Sequence, residues 1–264
     1  MSICLLSADK ERLAEINNVF LDKGHESKIM DDKIPLTDRF DVSLSIGDVT
    51  FCKSMIFDYL KYATIPVMWI TAGSKLTDPY VIRYCSAIGG WVFFEDYAEF
   101  RSWVGRVDRC SWLPIFVPNS RFGKKSEESL YNIITTYTVN PLPRVITENF
   151  SVGVAARNVD KELVSTAKVF LSMSNDLTVN DLIGLACGIP TILKRTPTTE
   201  RLFGSELFVK LYINLEEDVP LAMRDLTFLD SNEEYILNWA RSRLSSKLRV
   251  QQMIATFCDN GGLK

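Results

Sequence analysis

Residues 174–193 read SNDLTVNDLIGLACGIPTIL, and how they are read decides the fold. They follow a strand-like run, KVFLSMS (168–174), and end inside a second one, PTILK (190–194). Between the two, LTVNDLIGLACG reads as a helix. Its mouth gathers Asn175, Asp176, Thr178 and Asn180, and Gly188 and Pro190 close its tail. Strand, helix and strand in this order make a βαβ step, the repeating unit of a parallel sheet. A helix N-terminus carries free N–H groups and the positive end of the dipole, which suits a diphosphate. The four polar residues are therefore candidate partners of a ribose or a phosphate. Asn175 or Asp176 acting only as a helix cap is the plainer alternative. Gly188 and Pro190 need no function beyond ending the helix and starting the strand.

The same alternation continues on both sides. SICLLSA reads as a strand and DKERLAEINNVFLDKG as a helix, with Leu13, Ile16, Val19 and Phe20 at helical spacing, Asp9 as cap and Gly24 as stop. DVSLSIGD, IPVMWITAG and GWVFFED follow as strands separated by helical segments. Residues 119–147 break the rhythm with a basic loop, a helical EESLYNIITTYT and the Pro-punctuated NPLPR. The reading is an α/β chain of two Rossmann-like domains facing each other across a cleft. An N-terminal domain spans 1–118, a linker region 119–148, and a C-terminal domain 149–264, the last including a long helix over 232–257, continuous or interrupted. Ligands of such sheets gather at the carboxyl ends of the strands, here the loops after Ala8, Gly47, Ala72, Ala156, Ser174 and Lys194.

Composition narrows the chemistry. The 264 residues include one histidine and six cysteines without CxxC spacing, which argues against a zinc site. His25 lies in a turn and no GxSxG is present, so a Ser-His-Asp hydrolase does not fit. There is no GxxxxGK[ST] and no GxGxxG after the first strand. Acid–base chemistry therefore falls to a carboxylate. The longest apolar runs are too short to span a bilayer and the N-terminus lacks signal-peptide features, so a cytoplasmic location is expected, the host cytoplasm if the chain is viral. Net charge is −3, so a nucleic-acid contact would need a local patch. The candidates are NSRFGKK, with Arg121, Lys124 and Lys125, and the helix NWARSRLSSKLR, with Arg241 and Arg243; solvated faces are the alternative.

The segments KVFLSMSND, GLACGIPTIL, TTERLF and LYINLEED, in this order, resemble the nucleotide-sugar half of GT-B glycosyltransferases, and VFLDKGHESKIM resembles the end of that fold's first helix. The likeness covers residues 160–218 closely and 1–75 loosely. It implies a compact GT-B enzyme taking a hexose from a UDP-sugar, with no tightly bound cofactor and the metal requirement left open. The donor-binding set it implies is Arg157, Lys161, Asn175, Asp176, Thr178, Asn180, Lys194 and Glu200. Arg157 and Lys161, with Lys194 and Arg195 as second choice, would neutralise the departing diphosphate. One departure stands out. Two glutamates eight residues apart in the retaining relatives fall here on Asn175 and Ile183, with Asp176 and Asp181 as displaced acids. The order of elements is also similar to phage DNA glucosyltransferases. That likeness implies a base in the loop after IPVMWITAG, where Asp78 is the nearest carboxylate. Asp78 could take an acceptor hydroxyl proton, or merely cap the helix begun by Pro79. The acceptor would be a hydroxymethylated base in DNA, with Trp69 and Tyr80 as wedges, or otherwise a saccharide or protein. The alternatives are a non-catalytic GT-B-like module that binds a partner, and another two-domain nucleotide binder.

Overall fold

The computed structural model describes residues 1–30, 39–59, 63–73, 79–136, 142–155, 159–228 and 233–259. Asp78 and Arg157 lie outside them. The chain forms two units, Met1–Pro118 together with Ser246–Lys264, and Asn119–Ser245.

In the first unit, β1 (Ser2–Ser7), β2 (Glu26–Ile29), β3 (Phe40–Gly47), β4 (Ala63–Ile70), β5 (Trp91–Phe94) and β6 (Cys110–Trp112) form one sheet in the order β2-β1-β3-β4-β5-β6. Every pairing is parallel. The helices α1 (Lys10–Asp22), α2 (Val49–Tyr59), α3 (Pro79–Ala87) and α4 (Tyr97–Trp103) supply the crossovers. The central strands are apolar over most of their length because helices cover both faces of a parallel sheet. As the spacing predicts, α1 buries Leu13, Ile16, Val19 and Phe20, and the Asp9 side chain accepts from the Arg12 N–H. Trp69 is fully buried in β4 and packs on Phe116. It therefore cannot serve as a wedge, and the sequence could not tell a core tryptophan from an exposed one.

A polar cluster is enclosed at the carboxyl edge of this sheet. Glu95, just past β5, is ion-paired with Arg12, and its Oε2 accepts from the Ala72 N–H at 2.9 Å. The Arg12 guanidinium lies 5.4 Å from the Trp69 ring centroid and 5.0 Å from that of Phe116.

In the second unit, β7 (Tyr131–Thr135), β8 (Val152–Val154), β9 (Ala167–Leu171), β10 (Thr191–Lys194) and β11 (Val209–Tyr212) run parallel in the order β11-β10-β9-β7-β8. Between them lie α5 (Arg144–Asn149), α6 (Lys161–Ser165), α7 (Ile183–Ala186) and α8 (Pro197–Phe203), and α9 (Leu215–Phe228) and α10 (Glu233–Arg243) follow. Three expectations are corrected here. The helix read over EESLYNIITTYT contains the interior strand β7, where the β-branched run Ile133–Thr135 fits a pleated, buried surface. Residues 119–148 are not a linker, since they carry β7 and most of α5. The helical tail is interrupted after α10, and its second part, α11 (Ser246–Asp259), belongs to the first unit and not to the C-terminal domain. There Val250, Met253 and Phe257 are buried with Leu5, Phe93 and Phe116.

In both sheets the chain's first strand in the unit lies between the second and the third. The strand order reverses there, leaving a crevice at the carboxyl ends.

Candidate functional site

In the second unit this switch point lies between β7 and β9. Thr135, Thr136 and Ser172 stand at those strand ends, and all three are buried together with Asp181. Their hydrogen bonds form one network. Asp181 Oδ1 accepts from Ser172 Oγ at 2.6 Å. Its Oδ2 accepts from the Thr178 N–H at 2.7 Å and from Thr178 Oγ1 at 2.6 Å. The Met173 N–H donates to Thr136 Oγ1 at 3.3 Å, and the Tyr212 hydroxyl donates to the Ser172 carbonyl at 3.2 Å. Burial pushes the Asp181 carboxyl above the ordinary aspartate range, and the bonds from Ser172 and Thr178 oppose that rise. The network ties the loop 173–178 to three strands.

This geometry changes the reading of the segment that begins at Ser174. Residues Val179–Leu182 form a 3₁₀ turn and Ile183–Ala186 a single α turn, not one continuous helix. Thr178 and Asp181 make a reciprocal capping box, so the Thr178 N–H and hydroxyl are already engaged. The expectation of free helix N-terminal donors for a diphosphate is thereby corrected for Thr178. Ile183 is fully buried against Phe170 and Cys187 and offers nothing to a ligand. The element is short because Gly188, at φ 75°, ends it at once.

Of the residues singled out in the sequence, Asn175, Asp176 and Lys194 are brought together. They line a small cavity of about 10 Å³ with Ser174, Thr196 and Thr199, roughly the room one water needs. Asn175 Oδ1 accepts a hydrogen bond from Lys194 Nζ, and both side chains reach solvent. Next to them, Arg195 pairs with Glu200 at 3.5 Å. The Thr196–Thr199 capping box starts α8 with Pro197 in its first turn, and Thr199 Oγ1 also donates to the Lys194 carbonyl at 2.8 Å. Strand-end hydroxyls and a cap thus hold Lys194 in place.

The remaining candidates lie elsewhere or are engaged. Lys161 opens α6 and donates to the Ser120 carbonyl at 2.9 Å. Asn180 sits in the 3₁₀ turn. Arg121 donates to the Val159 carbonyl at 3.4 Å, and Lys125 is ion-paired with Glu233 at 2.9 Å. Lys124 lies beside Lys125 in the same loop, whereas Arg241 and Arg243 occupy the last turn of α10. Sequence reasoning missed Thr136, Ser172 and Tyr212. The available signal was the run of Ser and Thr where each apolar strand ends. Among the described residues no cluster of three or more His, Cys, Asp or Glu could hold a metal ion. Among them, too, no helix is long and apolar enough to cross a membrane.

No protein-family model matches the chain, and no curated protein matches it. Solved structures do. A glycosyltransferase from Rickettsia africae superposes with a TM-score of 0.69 at 8% identity, covering 98% of this chain and 97% of that one. A sucrose-phosphate synthase from Thermosynechococcus elongatus gives 0.67 at 10% identity, covering 99% of each. The Anabaena HepE protein, solved with UDP, gives 0.64 at 10% identity, covering 98% of this chain and 100% of that one. At such identity the likeness is one of fold. The chain has the two-unit, parallel-sheet fold of the GT-B glycosyltransferases.

Proposed function

We propose that this protein is a glycosyltransferase that uses a UDP-sugar donor, with the donor held at the carboxyl edge of the second sheet. One observation carries the reading. The switch-point crevice is lined by an ordered polar network that sets Lys194, Asn175 and Asp176 at its rim. The fold match to a protein solved with UDP supports the choice of donor, although fold alone does not fix a reaction.

In this reading Lys194 leaves Asn175 when the donor enters and turns its ammonium to the diphosphate, joined by Arg195. The bond from the sugar's anomeric carbon to the diphosphate oxygen breaks, and the two cations stabilise the charge on the leaving group. Asn175 and Asp176 then offer hydrogen bonds to the sugar or ribose, and Glu200 holds Arg195. Arg157 and Lys161 are a second cationic pair for the diphosphate. The acceptor hydroxyl attacks the anomeric carbon and gives its proton to a carboxylate, for which Asp78 is the proposal. A saccharide is the proposed acceptor. The basic residues considered for DNA favour this choice, because Lys125 is spent on Glu233 and Arg121 on a carbonyl.

The test is a thermal-shift and calorimetric titration with UDP, followed by an assay for UDP release from UDP-hexoses. A ligand at a hundred times its Kd adds about 2.7 kcal/mol of stability. Lys194→Ala should weaken UDP binding by roughly tenfold or more, as loss of a charge-assisted bond does, while Arg241→Ala leaves it unchanged. No saturable binding of UDP or any UDP-sugar would sink the reading and favour a GT-B-shaped module that binds a partner.

A further inference from the structure

A groove of about 510 Å³ runs along the outer side of β11, between α8 and α9. β11 is the last strand of its sheet, so only one of its edges is paired. On the paired side, the Phe208 and Tyr212 carbonyls accept from the Thr191 and Arg195 N–H groups of β10 and its end. Backbone groups in a strand alternate in direction, so Val209, Leu211 and Ile213 turn theirs to the groove. The Val209 N–H is taken by the Glu206 carbonyl at 3.2 Å, and the Ile213 N–H by Asp218 Oδ2 at 2.7 Å. Among the described residues, nothing takes the N–H and carbonyl of Leu211 or the carbonyl of Val209. The whole of β11 is about 13 Å long at 3.3 Å per residue, and its open groups lie within Val209–Leu211, room for a short added strand.

The side chains around this edge say what would pair with it. Leu207 and Ile213, at its two ends, are 71% and 72% exposed, and Leu221 of α9 is 54% exposed. These three bare aliphatic side chains give an added strand apolar surface to cover at both ends of the edge. The groove is acidic. Arg195 and Lys210 line it, but so do Glu200, Glu206, Asp218 and Asp225. Arg195 pairs with Glu200 at 3.5 Å and Lys210 with Asp225 at 3.3 Å, which leaves the charges of Glu206 and Asp218 in excess. A lysine on an edge strand normally guards it against pairing, yet here Lys210 is drawn aside to Asp225. A second copy of this chain would set two acid-rich edges against each other, so a basic partner fits better.

We propose that this groove receives an extended, basic peptide segment of another protein as an added strand. The segment pairs with the Leu211 backbone, covers Leu207 and Ile213 with apolar side chains, and sets its cations beside Glu206 and Asp218. The proposal is independent of the donor site.

The experiment measures fluorescence anisotropy of a labelled ten-residue peptide of alternating lysine and valine. Two control peptides are used, one with glutamate for lysine and one with alternate backbone nitrogens methylated. Saturable binding of the lysine peptide is expected. It should weaken at least tenfold on N-methylation or in Leu211→Pro, and several-fold in Glu206→Lys. Circular dichroism checks that Leu211→Pro folds, a change that edge strands tolerate. If that variant does not fold, the methylated peptide and Glu206→Lys carry the test. Equal binding of the glutamate peptide, or no binding of the lysine peptide, would overturn the proposal. So would a doubling of mass in light scattering that Leu211→Pro abolishes, because a second copy would then occupy the groove.

Discussion

A carboxyl as enclosed as that of Asp181 is costly to ionise, and the bonds it accepts from Ser172 and Thr178 offset only part of that cost. The sign of the resulting pH dependence follows. The unfolded chain releases this proton near pH 4, the ordinary aspartate value, while the folded protein holds it to higher pH. Between the two pKa values the native state binds more proton, so the group's contribution to stability falls as pH rises, and the penalty is complete above the folded pKa. Urea unfolding at a series of pH values should therefore show wild type losing stability relative to Asp181→Asn from about pH 4 upward. A constant difference between the two would rule out the shifted carboxyl. Asp181→Ala is expected to cost about 1–3 kcal/mol, because it strands the Thr178 N–H and the Ser172 hydroxyl. The sequence placed two acids in this loop, Asp176 and Asp181, but a linear pattern does not say which turns inward. The spacing Thr178-x-x-Asp181 was the clue, since that pair makes a capping box.

Element by element, long periodic stretches were legible and short ones were not. The period of α1, with its Asp9 cap, and the largely apolar runs of β3, β4 and β5 between helical segments were enough to indicate a parallel sheet. Strands covered on both faces need apolar residues over most of their length. β7 was misread as a helix because YNIITTYT also places apolar residues at helical spacing, and only its interior position between β9 and β8 decides the matter. The segment around α7 looked like a full helix because LTVNDLIGLACG has no internal breaker. Its start is a 3₁₀ turn held by the Thr178–Asp181 capping box and its end is set by Gly188, and in between it lies hard against the sheet. Gly184 packs so tightly on the sheet that a Cβ there would lie 2.5 Å from Phe170 Cβ and 2.6 Å from Thr191 Oγ1. Gly184→Ala should therefore destabilise the second unit by about 1–3 kcal/mol through overpacking, measured as a lower urea midpoint at unchanged slope. It should also weaken UDP binding, because the displaced turn carries Asp181 and through it the loop of Asn175. Ordinary stability in this variant would mean that α7 does not sit as close to β9 as described.

For the whole molecule, the decisive feature is the return of the chain after Ser245. The sequence announces a helical tail over 232–257 but not which sheet its end covers, and the nearer one in sequence was the wrong choice. The reason lies in the side chains. Val250, Met253 and Phe257 complete the core around Leu5, Phe93 and Phe116, and Phe257 meets the rings of Trp91 and Phe93 edge-on. Arg249 enters the same unit buried. It donates to the Ile115 carbonyl at 3.4 Å, and desolvation lowers its pKa to about 10 while the charge of Glu95 opposes that fall. Burying three such apolar side chains contributes roughly 5–9 kcal/mol, comparable to the whole net stability of a domain, about 5–15 kcal/mol. Removing residues 246–264 should therefore unfold the first unit and spare the second, whose last buried helix, α10 with Ile236, Leu237 and Ala240, stays in the chain. Hydrogen exchange on the truncated chain reads this directly. Amides of β3 and β4 should lose protection while those of β9 and β10 keep it. Loss of protection in both sheets together would mean that the two units do not fold as separable bodies, and that α11 holds up more than the core it covers.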